Sequence, residues 1–165
     1  ELPEEAPIVL VGFGRVGHRI GEILTRANIP FVALDYDASV VEKERENGHP
    51  VYYGDVRKPE LLKAVGAKDA RINIMTLNDP EASEQVVSSL RKAHPDIDIY
   101  ARGQSMVQCR KIHELGASKV VSENVEASLE LSRLVLKNVG IDKASRKSLI
   151  ERFRRDYYKR IVGKD

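Results

Sequence analysis

With 165 residues, 42% of them hydrophobic, the chain can bury one proper core but is too short for a second full domain, so one compact domain with a small appendage is expected. Its 27 basic residues nearly balance 25 acidic ones, which excludes a strong overall attraction to nucleic acid or to acidic substrates. No apolar run approaches the roughly 18 to 20 residues that span a bilayer, and a single cysteine, Cys109, excludes an internal disulfide framework. The opening Glu1-Leu2-Pro3-Glu4-Glu5-Ala6-Pro7 is acidic and broken by proline, unlike a signal peptide, and residues 1–7 read as the end of a linker. A soluble chain in a reducing compartment is expected, with Cys109 a small apolar helix residue rather than a reactive thiol.

From Ile8 onward, short β-rich apolar runs alternate with amphipathic stretches, the pattern of a parallel sheet covered by helices. Strands are expected at 8–12, 31–35, 51–53, 72–76, 97–101 and 119–122, and helices at 15–27, 38–47, 59–65, 80–93 and 104–115. Punctuation agrees: Asn28 and Pro30, Gly48 and Pro50, and Pro95 stand where helices should stop, and Asp79-Pro80 reads as an N-cap followed by proline at the first helical position.

The first strand runs into Gly12-Phe13-Gly14-Arg15-Val16-Gly17, which fits G-x-G-x-x-G, and an amphipathic helix runs out of it. In a Rossmann βαβ unit Gly12 permits the tight turn, Gly14 lets the backbone approach a pyrophosphate, and Gly17 lets helix and strand sit close. Phosphate charge is then met by free backbone N–H groups and the positive end of the helix dipole. Phe13, Arg15 and Val16 belong to the same loop, Arg15 as a charge-assisted phosphate donor or a solvated side chain.

The second strand ends at Asp35, followed by Tyr36, 18 residues beyond Gly17. An acid there accepts hydrogen bonds from ribose hydroxyls and repels a 2′-phosphate, which favours NAD, AMP, ADP or ATP. The alternative is a Rossmann-like fold whose site is empty or degenerate. Asp55, with Val56, follows the third strand and can approach an adenine or serve as a turn residue. Thr76, Leu77 and Asn78 follow the fourth strand and can line the middle of the cleft, and Arg102 at the end of the fifth can add a cation for an anionic ligand.

Beyond the sixth strand, 124–139 carries apolar residues on more than one helical face, so it either packs on its own sheet or crosses to a second subunit. A final helix is expected over 145–162. From Lys143 to Asp165 nine Lys or Arg face three Asp or Glu, giving the tail a surplus of positive charge. Such a tail can serve a membrane or nucleic-acid surface, but basic residues interleaved with Leu149, Phe153 and Ile161 suit an ordinary amphipathic helix, and no nucleic-acid partner is expected.

Catalytic groups are sparse. His18, His49, His94 and His113 are scattered, and none stands at metal-ligand spacing with Cys109 or a carboxylate, so no structural metal is expected. There is no G-x-S-x-G elbow and no Tyr-x-x-x-Lys pair. A nucleotide site without visible chemistry suggests sensing rather than catalysis; the alternative is a small NAD-dependent oxidoreductase that needs a missing or partner substrate domain.

The stretches GFGRVG, VALDYD, VYYGDVRKPELLKAVGA and IYARGQSMVQCRKIHELGASKVV resemble the cytosolic RCK or KTN (TrkA-N type) regulatory domain of potassium channels and transporters, over about residues 8–140. VSENVEASLELSRLVLKNVG is most similar to the Kef-type potassium/proton antiporters, and the further C-terminal βαβ domain usual in channel and Trk or Ktr regulators is not seen here. The resemblance implies an α/β fold, a Rossmann-type, doubly wound, parallel six-stranded sheet with a C-terminal crossover helix and a final short helix. It implies a nucleotide-binding domain over 8–140, including a dimerisation helix at 124–139; beyond it the residues themselves give a basic helical tail over 141–165. An adenine nucleotide (AMP, ADP or ATP) or NAD(H) would bind beside Gly12–Gly17, with Asp35 and Asp55 contacting ribose and adenine. The domain would be a homodimer at the cytoplasmic face of a membrane, controlling a transmembrane antiporter that lies upstream. Glutathione is a further candidate ligand at the dimer interface. Arg102 matches the family's ligand-side arginine, whereas Gly103 and Gln104 depart from its A-R-A-R-D run, Gln104 agreeing with the A-R-A-Q-D of plant-like relatives.

Overall fold

Six short apolar runs become six parallel strands, and the helices between them cover both faces of the sheet. The computed structural model describes residues 7–163; residues 1–6 of the expected linker lie outside the described residues. In chain order the elements are β1 (Ile8–Val11), α1 (Arg15–Arg26), β2 (Phe31–Asp35), α2 (Ala38–Glu46), β3 (Val51–Tyr53), α3 (Pro59–Ala64) and β4 (Ile72–Met75). They continue with α4 (Pro80–Ala93), β5 (Ile99–Gly103), α5 (Met106–Leu115), β6 (Lys119–Ser122), α6 (Glu123–Asn138) and α7 (Lys143–Ile161). The strand order is β3-β2-β1-β4-β5-β6, the doubly wound Rossmann arrangement, with its topological switch between β1 and β4.

Strand alternation divides the core between the two faces. Val9, Val11, Leu34 and Met75 join Val86, Leu90, Ile99 and Ile112 in the larger cluster. Leu10, Ala33 and Val51 point the other way, to Phe13, Phe31 and Val41 beneath α1 and α2. Cys109 is fully buried, and burial pushes its thiol up, as suits a packing residue.

Local chemistry explains where the helices start. Side chains of Asp37, Asp79, Ser105, Ser122 and Asp142 accept first-turn N–H groups of α2, α4, α5, α6 and α7. The short α3 opens on Pro59, which has no N–H to satisfy. Only α1, among the described helices of more than one or two turns, begins without a side-chain cap.

Most element ends lie within a residue of the sequence expectation, and α5 starts two residues later, at Met106; β5 and α7 also shift by two. β5 starts and ends two residues later than 97–101, because its register is fixed by its neighbours: Ile99 pairs with Asn73, and Gly103 pairs with Ser122. α7 starts at Lys143 and runs 19 residues.

α6 leaves the sheet after its first turns. Val125 and Leu129 are its buried residues, whereas Leu131, Leu134, Val135 and Val139 are 49–65% exposed, so packing on its own sheet accounts for only the start of the helix. α7 folds back beside it and buries Ile161 in the main core. The Tyr158 hydroxyl accepts the Ser122 N–H at 3.1 Å and donates to Glu126 at 2.8 Å. Burial is the main reason that this phenol is pushed up to about 12. Arg154 holds the same carboxylate at 3.0 Å.

Candidate functional site

At the carboxyl ends of β1 to β4, next to the switch point, lies a cleft of about 500 Å³. That volume is within the usual range of small-molecule sites, and the position is where open α/β sheets bind ligands. Gly12 and Gly14 form one wall, Asp35, Tyr36 and Asp37 a second, Tyr53, Asp55, Val56 and Arg57 a third, and Thr76, Leu77, Asn78 and Asp79 the floor.

The three motif glycines serve different ends. Gly12 has φ +103°, and a Cβ there would lie 2.9 Å from Thr76 Oγ1 and 3.1 Å from the Leu77 nitrogen. A Cβ on Gly17 would meet the Gly12 carbonyl oxygen at 2.2 Å, so the helix packs against the turn only because that side chain is missing. Thr76 closes the arrangement by donating its hydroxyl to the Gly12 carbonyl at 2.6 Å. Gly14 has an ordinary φ of −73°, and the nearest atom to a Cβ there is Asn78 Nδ2 at 3.9 Å. Fold packing therefore does not demand a glycine at 14, which leaves open space in front of an uncapped helix N-terminus.

Asp35 is 7% exposed and already braces two loops. Its Oδ2 accepts the Phe13 N–H at 2.8 Å and its Oδ1 the Asp37 N–H at 2.9 Å, leaving further lone pairs toward the cleft. Asp55 is held by Arg57, whose Nε and Nη2 lie 3.0 and 3.1 Å from its two oxygens, and this pairing lowers the carboxyl below its ordinary value. Among the described residues lining the cleft, Arg57 is the one cation beside Asp35, Asp37, Asp55 and Asp79.

The structure thus brings together Gly12, Gly14, Asp35, Tyr36, Asp55, Val56, Thr76, Leu77 and Asn78 of the sequence-predicted set. The other residues of that set lie elsewhere. Phe13 turns its ring into the core and offers the cleft only backbone; Arg15 is exposed beyond the lining; Val16 and Gly17 belong to the helix behind the loop. Arg102 lies within β5, and its guanidinium is engaged by the chain itself: Nε and Nη2 reach the Thr76 carbonyl at 3.2 and 3.1 Å, and further bonds go to Asn78 and Glu123. Sequence reasoning missed Arg57, Asp37, Tyr53, Val40 and Ala82 as cleft residues. Arg57 carried a usable signal, since a basic residue two positions after a strand-end aspartate can close a bidentate turn.

A family model of the TrkA-N domain matches residues 8–123. The glutathione-regulated potassium-efflux system protein KefC of Escherichia coli O139:H28 is 30% identical over 156 residues, covering 94% of this chain and 25% of the relative. The chain therefore spans about a quarter of that protein's length. The GsuK channel bound to NAD is 30% identical, with TM-score 0.71 over 86% of this chain and 25% of that one. The Kef CTD of Shewanella denitrificans, solved in AMP bound form, has TM-score 0.79 over 93% of this chain and 94% of that one, and at 23% identity shows a shared fold. These are transport and channel proteins rather than dehydrogenases. With the family model covering β1 through β6 and the strand order that such domains require, the chain belongs to the TrkA-N family, as an RCK-type domain related to those of Kef-type antiporters.

Proposed function

We propose that the cleft binds an adenine nucleotide (AMP, ADP or ATP) or NAD(H), and that the domain uses this binding to control a potassium/proton antiporter from the cytoplasmic face of the membrane. The observation that carries the reading is the open, uncapped start of α1 at Gly14, beside a cleft whose far walls carry Asp35 and Asp55. Backbone N–H groups of the first turn of α1 would take phosphate, Asp35 the ribose, and Asp55 with Tyr36 and Val56 the adenosine end. Arg15, exposed beside the loop, would add a cation for outlying phosphate oxygens. The NAD-bound GsuK channel supports the ligand class, and the relation to KefC supports an upstream transmembrane part.

The second element of the proposal is a homodimer through α6. Leu131, Val135 and Val139 recur at helical spacing on its exposed surface, and Leu149 and Phe153 of α7 are also half-exposed. Arg102 joins the cleft floor, through Thr76 and Asn78, to Glu123 at the start of α6, so the state of the cleft can bias the dimer arrangement. Because that guanidinium is engaged within the chain, glutathione control is not extended to this protein.

Calorimetric titration of the 165-residue chain with AMP, ADP, ATP, NAD⁺ and NADH tests the reading. One site per chain is expected for at least one of them, and Gly14→Ala should weaken it tenfold or more while the circular dichroism spectrum is unchanged. Absence of binding below about 1 mM, or an indifferent Gly14→Ala variant, would overturn the phosphate assignment.

A further inference from the structure

Behind the glycine loop, on the side away from the cleft, the fold assembles a constellation that sequence spacing conceals. His18 on α1, Glu44 on α2 and His49 in the turn before β3 each present one ligand atom within 4.8 Å of the other two. His18 Nδ1 lies 2.9 Å and His49 Nε2 3.9 Å from Glu44 Oε2. The Glu44 side chain is 7% exposed, so its carboxylate is turned inward, toward two imidazoles and away from water.

From this arrangement we infer a binding site for a single divalent transition metal of the zinc class, held by His18 Nδ1, His49 Nε2 and Glu44. Bonds of about 2.0 Å at tetrahedral angles require ligand atoms roughly 3.3 Å apart. The two distances from Glu44 Oε2, 2.9 and 3.9 Å, bracket that value and all three ligand atoms lie within 4.8 Å, so side-chain movements of roughly 1 Å seat an ion. Two imidazoles and one carboxylate suit Zn²⁺ and its neighbours; Ca²⁺ and Mg²⁺, which need oxygen shells, do not fit.

The surroundings point the same way. His18 Nε2 lies 2.8 Å from Glu22 Oε1, the outer carboxylate that fixes a metal-binding imidazole with its other nitrogen turned toward Glu44. The Phe13 ring stands 5.8 Å from the His18 ring and 5.6 Å from the His49 ring, giving the cluster an apolar wall that limits water access. With three protein ligands the fourth position belongs to water or to an outside group. The ion would pin α1 to α2 and to the turn before β3, directly behind Phe13, whose N–H is tied to Asp35.

The test is a titration of the tag-free chain, freed of metal by chelator, with Zn²⁺ in a calorimeter and with Co²⁺ as a spectroscopic probe. One equivalent per chain is expected, with the intense visible bands of a four-coordinate Co²⁺ centre. His49→Gln and Glu44→Gln should each weaken Zn²⁺ binding tenfold or more, and the double variant His94→Gln/His113→Gln should leave it unchanged. If Glu44→Gln does not fold, His49→Gln and the Co²⁺ spectrum of the unaltered chain decide. No stoichiometric binding, or binding that survives His49→Gln or vanishes with His94 and His113, would overturn the assignment and leave a hydrogen-bonded triad only.

Discussion

The cleft and the α6–α7 hairpin are opposite kinds of surface. Around the cleft, polar groups are committed before any ligand arrives: both Asp35 oxygens accept backbone N–H groups, Asp55 is paired with Arg57, and Thr76 clamps Gly12. On the hairpin, the polar groups that face inward are tied together, as Glu126 is by Arg154 and Tyr158, while apolar side chains such as Leu131 and Val139 remain uncovered. The difference separates two kinds of recognition. A preorganised polar cleft can accept a small ligand with little rearrangement, whereas an uncovered apolar helix suits the second subunit proposed above.

The sharpest way to break the cleft side of this contrast is Gly17→Ala. The added methyl meets backbone at 2.2 Å and cannot be relieved by a rotamer change, so a loss of about 3 kcal/mol or more is expected in urea unfolding. On the hairpin side, Leu131→Asp with Val135→Asp should weaken self-association by about 2–3 kcal/mol, roughly 30-fold to 150-fold, in sedimentation equilibrium. The secondary structure of the monomer should be unchanged, because both positions are at least 60% exposed.

Gly14→Ala sharpens the comparison within the loop. It adds the same methyl as Gly17→Ala, yet should cost less than about 1 kcal/mol in urea unfolding. Its effect belongs to nucleotide affinity, about 1.4 kcal/mol or more.

The smallest effect concerns pH. Burial alone would raise the Glu126 carboxyl, but hydrogen bonds from Arg154 and Tyr158 outweigh it and hold the group below its ordinary 4.5. A depressed carboxyl contributes stability that is fully present above the ordinary value and is lost as pH falls through the folded-state value. Thermal melts should therefore show wild type and Glu126→Gln separated at neutral pH, with wild type the more stable, and converging as pH falls below 4.5 and on through the depressed folded-state value.

Most of the fold was legible because its signals are local. Short apolar runs such as IVLV and FVAL mark the strands, and Asp37, Asp79 and Ser122 cap helices through bonds that span only two or three residues. The ends of β5 were not legible, since Gly103 is in a strand only because Ser122 pairs with it. Within the site, the glycine turn and the strand-end aspartates could be read, but the engagement of Arg102 could not. Its partners Thr76, Asn78 and Glu123 lie on other elements, and only sheet order makes them neighbours. His18 and His49 illustrate the same limit, joined across Glu44 only because the fold brings side chains of α1, α2 and the turn before β3 together.

The Arg102 bridge has one more consequence, in the language of mass action. If a bound nucleotide changes the free energy of subunit pairing through that guanidinium, pairing must change nucleotide affinity by the same factor. A measured dissociation constant for this domain would then depend on protein concentration, shifting as dilution separates the subunits. In the antiporter proposed above, crowding many copies into one patch of membrane would by itself reset the nucleotide level to which each of them responds.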